Sequence, residues 1–298
     1  MKNIFKVLLI IGLVILIAFG GKYIYDYKNS SNNKDVISNE VSSNDVITDN
    51  KNDNKESDIL KDISEEEKER DYITLDINSV RIPILMYHSI SDADPNNNLL
   101  VPVKQFDSEV KWLKENGFTP MLLGDVIKAY NTGYVPKKPV AITFDDGYAD
   151  NYSEAYRILK ENDMKATFFI ITNNTDKDSF YMNSSMLKEM NESGMGIENH
   201  TSRHIEFTNI SREDKIAIIE EGRAALKEKL GIDSKFLCYP VGRYDDETIE
   251  VEKELGIEAA VTTEYGISDV GDGLYTLKRI RMLPMDIDSF KDIFEEFI

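Results

Sequence analysis

Pro139-Val140-Ala141-Ile142-Thr143-Phe144-Asp145-Asp146-Gly147-Tyr148 is an apolar, β-prone run that stops on two adjacent carboxylates and a glycine. The polar sequence after it reads as a helix start. Two carboxylates therefore stand where a buried strand ends, and in α/β folds that end of the strand is where sites are built. Successive strand residues point to opposite faces, so Asp145 and Asp146 take different tasks only if the backbone bends between them. Gly147 permits such a bend. An aspartate ahead of a helix is also an ordinary N-cap, so the pair needs support from the rest of the chain.

Outward from this strand, the same alternation repeats. Residues 81–88 read as an apolar strand ending in a histidine, and residues 166–171, 196–200, 236–240, 259–262 and 277–282 as further strands. Between them lie helical patterns. Phe106, Val110, Leu113 and Phe118 fall at helical spacing, with Gly117 closing that helix. Residues 123–130, 151–162, 184–193, 246–255 and 289–297 read as helices too. Ser211-Arg212-Glu213-Asp214 is a capping-box-like start for a long helix ending at Leu230-Gly231. Alternating strands and helices mean βα units and a mostly parallel sheet. About seven such units in some 220 residues suit an α/β fold closed into a distorted barrel better than an open sheet.

Composition limits the chemistry. The net charge of −19 argues against nucleic acid, whose phosphates need Lys and Arg. Cys238 is the one cysteine, so neither an intrachain disulfide nor a thiolate metal cage is available. Any metal must take histidine and carboxylate ligands, and the chain has three histidines: His88, His200 and His204.

Residues 7–21 form an apolar run about 22 Å long as a helix, short of the ~30 Å hydrocarbon core. Counted from 4 to 25, with Lys6 and Lys22 snorkelling, it spans. A cleaved signal peptide is the competing reading, with small residues at Ala18-Phe19-Gly20. Both readings export the rest of the chain, and the expectation is a signal-anchor over residues 1–27 with its N-terminus in the cytoplasm. Residues 28–71 are rich in Asn, Ser, Asp, Glu and Lys and read as a disordered acidic linker. About fifty flexible residues reach roughly 40 Å. Residues 72–298 form the expected globular domain.

His200-Thr201-Ser202-Arg203-His204 places two imidazoles four residues apart. On a helical turn those positions share a face, so both reach one metal. Two histidines plus a carboxylate is a familiar catalytic zinc set that leaves positions open for water and substrate. Two histidines at this spacing are more often plain surface or core residues. Here they are two of three in the chain, in a short turn after a strand, and Asp146 offers a third ligand.

TFDDG, the HTxxH run and the YPxG segment, in this order, resemble the NodB-homology polysaccharide deacetylases, carbohydrate esterase family 4. The resemblance covers residues 82–282. Pro83-Ile84-Leu85-Met86-Tyr87-His88 and Asp145-Asp146-Gly147-Tyr148-Ala149-Asp150-Asn151-Tyr152 look most like the branch that deacetylates poly-β-1,6-N-acetylglucosamine. In that branch the segment bearing the general-acid histidine lies at the N-terminal side of the domain, where His88 stands. The resemblance implies a deformed (β/α)7 barrel. It implies Asp146, His200 and His204 as ligands of a divalent metal, Zn²⁺ first, with Co²⁺, Ni²⁺ or Mn²⁺ as alternatives. It implies Asp145 as general base, His88 as general acid and the Val241 N–H as oxyanion donor. Tyr148, Tyr239 and Arg243 are candidate substrate contacts. Many members carry an arginine, orienting the base, where this chain has Cys238; Arg243, Arg279 and Arg281 are the candidate replacements. Trp112 is expected to pack under a helix.

Such a set suits the hydrolysis of an acetamide, a poor electrophile. The expected substrate is an N-acetylglucosamine polymer outside the membrane, either poly-β-1,6-N-acetylglucosamine or peptidoglycan. A monomer held at the membrane by its N-terminal helix is expected. The competing readings are an O-acetyl polysaccharide esterase and, because of Cys238, an inactive glycan-binding module.

Overall fold

The computed structural model describes residues 71–298. The expected anchor, and all of the expected linker but its last residue, lie outside the described residues. Among the described residues no helix is long and apolar enough to cross a membrane.

Seven parallel strands close into a barrel: β1 (Ile84–Tyr87), β2 (Pro139–Phe144), β3 (Thr167–Ile170), β4 (Gly196–Asn199), β5 (Phe236–Cys238), β6 (Ala259–Tyr265) and β7 (Leu277–Arg281). Strands β2 to β7 neighbour one another in chain order. β1 closes the ring, with Leu85 opposite Ile142 of β2 and Ile280 of β7. A short strand, Thr119–Met121, adds to β2 outside the ring.

The helices are α1 (Val103–Glu115), α2 (Leu123–Thr132), α3 (Arg157–Glu161), α4 (Ser184–Glu192), α5 (Arg212–Leu230), α6 (Asp246–Glu254) and α7 (Ile287–Asp292). The Ser211 side chain accepts the Asp214 N–H at the start of α5, and Gly231 ends that helix in the left-handed region that favours glycine. Two expected helices are divided. A π-helical turn over Asn151–Tyr156 leads into α3, and a 3-10 turn over Glu295–Phe297 follows α7. Trp112 packs against Phe118, Phe290 and Phe294, as its position on α1 suggests.

Strand parity sorts the core. Leu85, Tyr87, Ile142, Phe144, Phe168, Ile170 and Ile197 pack outward beneath helices. Ile84, Ala141, Phe169, Phe236, Cys238, Ala259, Val261 and Leu277 share a second cluster that fills the barrel. Side chains alternate along a strand, so the inward set continues two residues at a time toward the C-terminal ends. It reaches His88 after β1, Thr143 and Asp145 on and after β2, His200 after β4, and Arg279 and Arg281 on β7. One parity rule thus gathers His88, Asp145, His200, Arg279 and Arg281 at one end of the barrel.

Candidate active site

A cavity of about 240 Å³ opens at that end, with His88, Asp145, Asp146, His200, His204, Val241 and Arg281 in its lining. The chain brings the paired carboxylates together by bending. Asp146 and Gly147 have φ of 74° and 79°, so the strand breaks into a left-handed turn after Asp145. The bend turns both side chains toward the cavity, and the Asp145 N–H donates to the Tyr87 carbonyl at 3.0 Å, fixing the turn beside His88. Asp150 adds a second tie: its carboxylate accepts from Ser89 Oγ at 2.6 Å and from the Ile90 N–H at 3.3 Å.

Asp145 and Arg279 form a two-pronged ion pair. Arg279 Nη1 donates to Oδ1 at 2.8 Å and Nη2 to Oδ2 at 2.7 Å. Both residues are buried, Arg279 at 0% exposure and Asp145 at 2%. The guanidinium also donates to the Thr262 carbonyl and Thr143 Oγ1, and approaches Cys238 Sγ at 3.3 Å. Burial alone pushes the Asp145 carboxyl up, but Arg279 overcomes it and holds the group far below the ordinary carboxylate range. Of the three candidate arginines, then, Arg279 takes the place. The small Cys238 side chain leaves room for a guanidinium that arrives from β7.

The Asp146, His200 and His204 ligand atoms lie within 4.8 Å of one another. Asp146 Oδ1 is 3.4 Å from His200 Nε2 and 3.5 Å from His204 Nε2. Ligand atoms about 2.1 Å from a tetrahedral zinc ion stand roughly 3.4 Å apart, so this set fits. The His200 Nδ1 lies 2.8 Å from the Cys238 carbonyl. A carbonyl accepts only, so Nδ1 carries a proton, and Nε2 is the ring nitrogen turned toward Asp146 and able to ligate. Asp145, His200 and Cys238 also lie close together, but the Arg279 guanidinium already supplies the cation there. His88 belongs to neither ligand group among the described residues.

The expectation of a helical turn for His200 and His204 is corrected. Thr201 and His204 have φ of 65° and 54°, so the segment is an irregular loop. The His204 N–H donates to Thr201 Oγ1 at 3.0 Å. That local bond, and not helical spacing, folds the second imidazole back beside the first.

His88 is largely buried, and burial lowers its imidazole below the ordinary value, with the Asp145 and Asp146 charges opposing and the arginines assisting. Burial thus outweighs the support that the two carboxylates give to a positive charge. Val241 sits in a turn with φ 49° and ψ 18° and half of its surface exposed.

The candidate substrate contacts separate. Tyr239 lies at the cavity, but its ring is 1% exposed and its hydroxyl bonds Glu252 and the Tyr275 carbonyl. The hydroxyl is therefore engaged inside the protein, and only the rest of the residue borders the cavity. Arg243 lines an adjoining groove of about 590 Å³, which shares Val241 and Thr263 with the cavity. Tyr148 stacks on Tyr181 at 5.6 Å, and Phe180, 64% exposed, packs edge-on to both. Sequence reasoning passed over Asp150, Phe180 and Tyr181. The apolar Phe180-Tyr181 pair inside a polar loop was the available signal.

The family profile of polysaccharide deacetylases matches residues 132–260. The Bacillus subtilis (strain 168) protein YxkH, whose name places it among polysaccharide deacetylases, is 36% identical over 205 residues, 68% of this chain and 72% of its own. The poly-beta-1,6-N-acetyl-D-glucosamine N-deacetylase of Staphylococcus aureus is 28% identical over 225 residues, 66% of this chain and 77% of its own. Among solved structures, the Streptococcus pyogenes deacetylase PplD in complex with acetate superposes with a TM-score of 0.70 and 34% identity, over 72% of this chain and 99% of that one. IcaB from Ammonifex degensii shares the fold, with a TM-score of 0.63 at 22% identity over 72% of this chain and 95% of its own.

Proposed function

The chain belongs to the polysaccharide deacetylase family, and on that premise we propose that it is a metal-dependent N-deacetylase of N-acetylglucosamine polymers, acting outside the membrane that residues 1–27 anchor it to. The observation that carries this reading is the division of labour within the aspartate pair. Asp145 is held by Arg279, while Asp146 faces two imidazole nitrogens at metal-shell spacing.

Asp146, His200 and His204 would hold the ion, with Zn²⁺ the best match to their donor types. When bound, it supplies a Lewis acid for the acetamide carbonyl and a lower pKa for water. The chain's own residues do the rest. Arg279 keeps Asp145 ionised and fixes its orientation, and Asp145 takes the proton from the attacking water. The Val241 N–H donates to the carbonyl oxygen as it gains charge. His88 gives a proton to the leaving nitrogen. Because burial lowers the His88 imidazole, its acid form donates readily but becomes scarce as pH rises.

The substrate reading leans on two features. The cavity continues into the groove lined by Arg243, Tyr244, Asp246 and Glu264, which has room for neighbouring sugars of a polymer. The S. aureus relative is named for poly-β-1,6-N-acetylglucosamine, which favours that polymer over peptidoglycan. The test is acetate release by the zinc-loaded chain from both polymers and from acetylated xylan. Release from the β-1,6 polymer is expected. Release from muropeptide glycans alone would reverse the choice of polymer, and release from xylan alone would make the protein an O-acetyl esterase.

A further inference from the structure

Tyr239, just past β5, has one hydroxyl proton and two oxygens contesting it: Glu252 Oε2 at 2.7 Å and the Tyr275 carbonyl at 2.9 Å. A carbonyl accepts only. An ionised Glu252 would also accept only, leaving one of these short oxygen–oxygen contacts without a proton. Glu252 is 0% exposed, and its Oε1 has no partner among the described residues. A buried carboxylate with a bare oxygen and no paired cation is strongly disfavoured. One added proton removes the charge and gives both short contacts a hydrogen. The Glu252 carboxyl then donates to the Tyr239 hydroxyl, which in turn donates to the Tyr275 carbonyl.

We infer that Glu252 is a neutral carboxylic acid and a positioning residue: through Tyr239 it holds the Pro240–Gly242 turn that presents the Val241 N–H to the site. This inference rests on the deacetylase reading for its catalytic consequence, but not for its protonation. The turn needs holding because Val241 is β-branched and sits in the left-handed region, which such residues avoid. Three bonds fix it locally: Gly242 N–H to the Tyr239 carbonyl at 2.9 Å, Arg243 N–H to the Pro240 carbonyl at 3.1 Å, and Thr263 Oγ1 to the Val241 carbonyl at 3.4 Å. The first of these starts from Tyr239, so the ring that Glu252 fixes belongs to the residue on which the turn is hung.

The charges around Glu252 are committed elsewhere. Lys253 lies over the Tyr275 ring, Lys215 pairs with Asp245 and Glu247, and Arg212 pairs with Glu254. Arg223 serves Glu220 and the Leu255 carbonyl, Tyr244 stacks on Tyr239, and the Tyr275 hydroxyl donates to the Ile257 carbonyl. Burial pushes the Glu252 carboxyl up to about 8, outweighing the Tyr239 hydrogen bond and the Lys253 charge, which act the other way. The folded chain therefore keeps a proton that the unfolded chain releases. Its contribution to stability is complete at acid pH and declines as pH rises through that value.

Glu252→Gln, Glu252→Leu and Tyr239→Phe, made in the full chain, test the inference. At neutral pH, infrared difference spectra of wild type against Glu252→Gln should show a protonated-carboxyl C=O band in wild type alone. Gln donates to the Tyr239 hydroxyl as the acid does, so Glu252→Gln should keep kcat and should lose the decline in stability with rising pH that Glu252 contributes. Glu252→Leu and Tyr239→Phe should keep the bound zinc, exchange the amides of residues 239–243 faster, and lose kcat about tenfold or more. If Glu252→Leu fails to fold, Tyr239→Phe carries the same comparison. Absence of the band overturns the protonation. Wild-type exchange and kcat in Tyr239→Phe overturn the positioning role. A chain that releases no acetate from any glycan would sink the function proposed above, while the band and the exchange rates would still decide this inference.

Discussion

Arg279→Met removes the cation that pairs with a buried carboxylate and leaves a side chain of similar length in its place. Both partners are at or below 2% exposure and meet through two bonds of 2.7 and 2.8 Å. Breaking such a pair from one side costs about 3–5 kcal/mol, because the remaining charge is stranded. For a domain of this size each kcal/mol is worth roughly 2–4 °C in Tm, so a fall of about 6–20 °C is expected. Stranded and buried, Asp145 is expected to take up a proton more readily, since burial pushes its carboxyl up and Arg279 is the largest of the groups that oppose it, ahead of His200 and His88. A protonated Asp145 is no base, and kcat should fall about 10²–10⁴-fold. In wild type the depressed carboxyl lends stability that is complete above the ordinary carboxylate value and lost as pH falls through the lowered one. The variant should lose that acid-side dependence. Arg279→Lys keeps a charge but cannot serve both oxygens, Thr143 and Thr262 at once, so it should fall between. The assays are thermal melts across pH, zinc content by mass spectrometry, and acetate release. Wild-type Tm and kcat in Arg279→Met, with zinc bound, would refute the reasoning.

Asp146→Ala, His200→Ala and His204→Ala should each lose zinc and activity together, whereas Asp145→Asn should keep zinc and stop turnover; equal metal loss from Asp145→Asn and Asp146→Ala would erase the division between them. His88→Ala should keep fold and zinc and lose about 10²–10⁴ in kcat on N-acetylglucosamine oligomers, with a smaller loss on an acetyl ester, whose leaving group needs less help; an undiminished rate on the oligomers would leave the acid unassigned. Gly242→Ala puts a Cβ into the Thr263 side chain at a backbone φ of 70°, so it should disturb the Val241 turn and lower kcat with zinc retained, as metal analysis and acetate release would report. Phe180→Ala should raise KM for long oligomers and leave short ones unchanged if the exposed ring meets sugars beyond the reacting one, and an equal KM across chain lengths would remove it from substrate binding.

Much of the barrel was legible because its strands are short apolar runs between helices with clear ends, and because parity carries from a buried residue to the next inward one. The aspartate pair, the two imidazoles and His88 were legible as types standing at strand ends. What the sequence concealed was the path of the backbone between them. Four residues of the site, Asp146, Thr201, His204 and Val241, take positive φ without being glycine, and no local pattern announces that. The helical spacing of the two histidines therefore suggested the right partnership for the wrong reason. The choice of Arg279 over Arg243 and Arg281 was equally hidden. It depends on which strand lies two places from β5 and on the space that a cysteine leaves, neither of which is local. The partner of the Tyr239 hydroxyl was hidden as well, because Glu252 lies on a helix thirteen residues on and no local pattern joins the two.

The ring closes where the first strand meets the last, and the cation for Asp145 arrives on that last strand. While the chain is being made, Asp145 emerges long before Arg279, and β1 waits for β7 before it has both neighbours. Until then a sealed barrel would strand a bare charge, so sealing early is unfavourable. The buried pair thus couples two events far apart in the chain: the strand that shuts the barrel also brings Asp145 its cation.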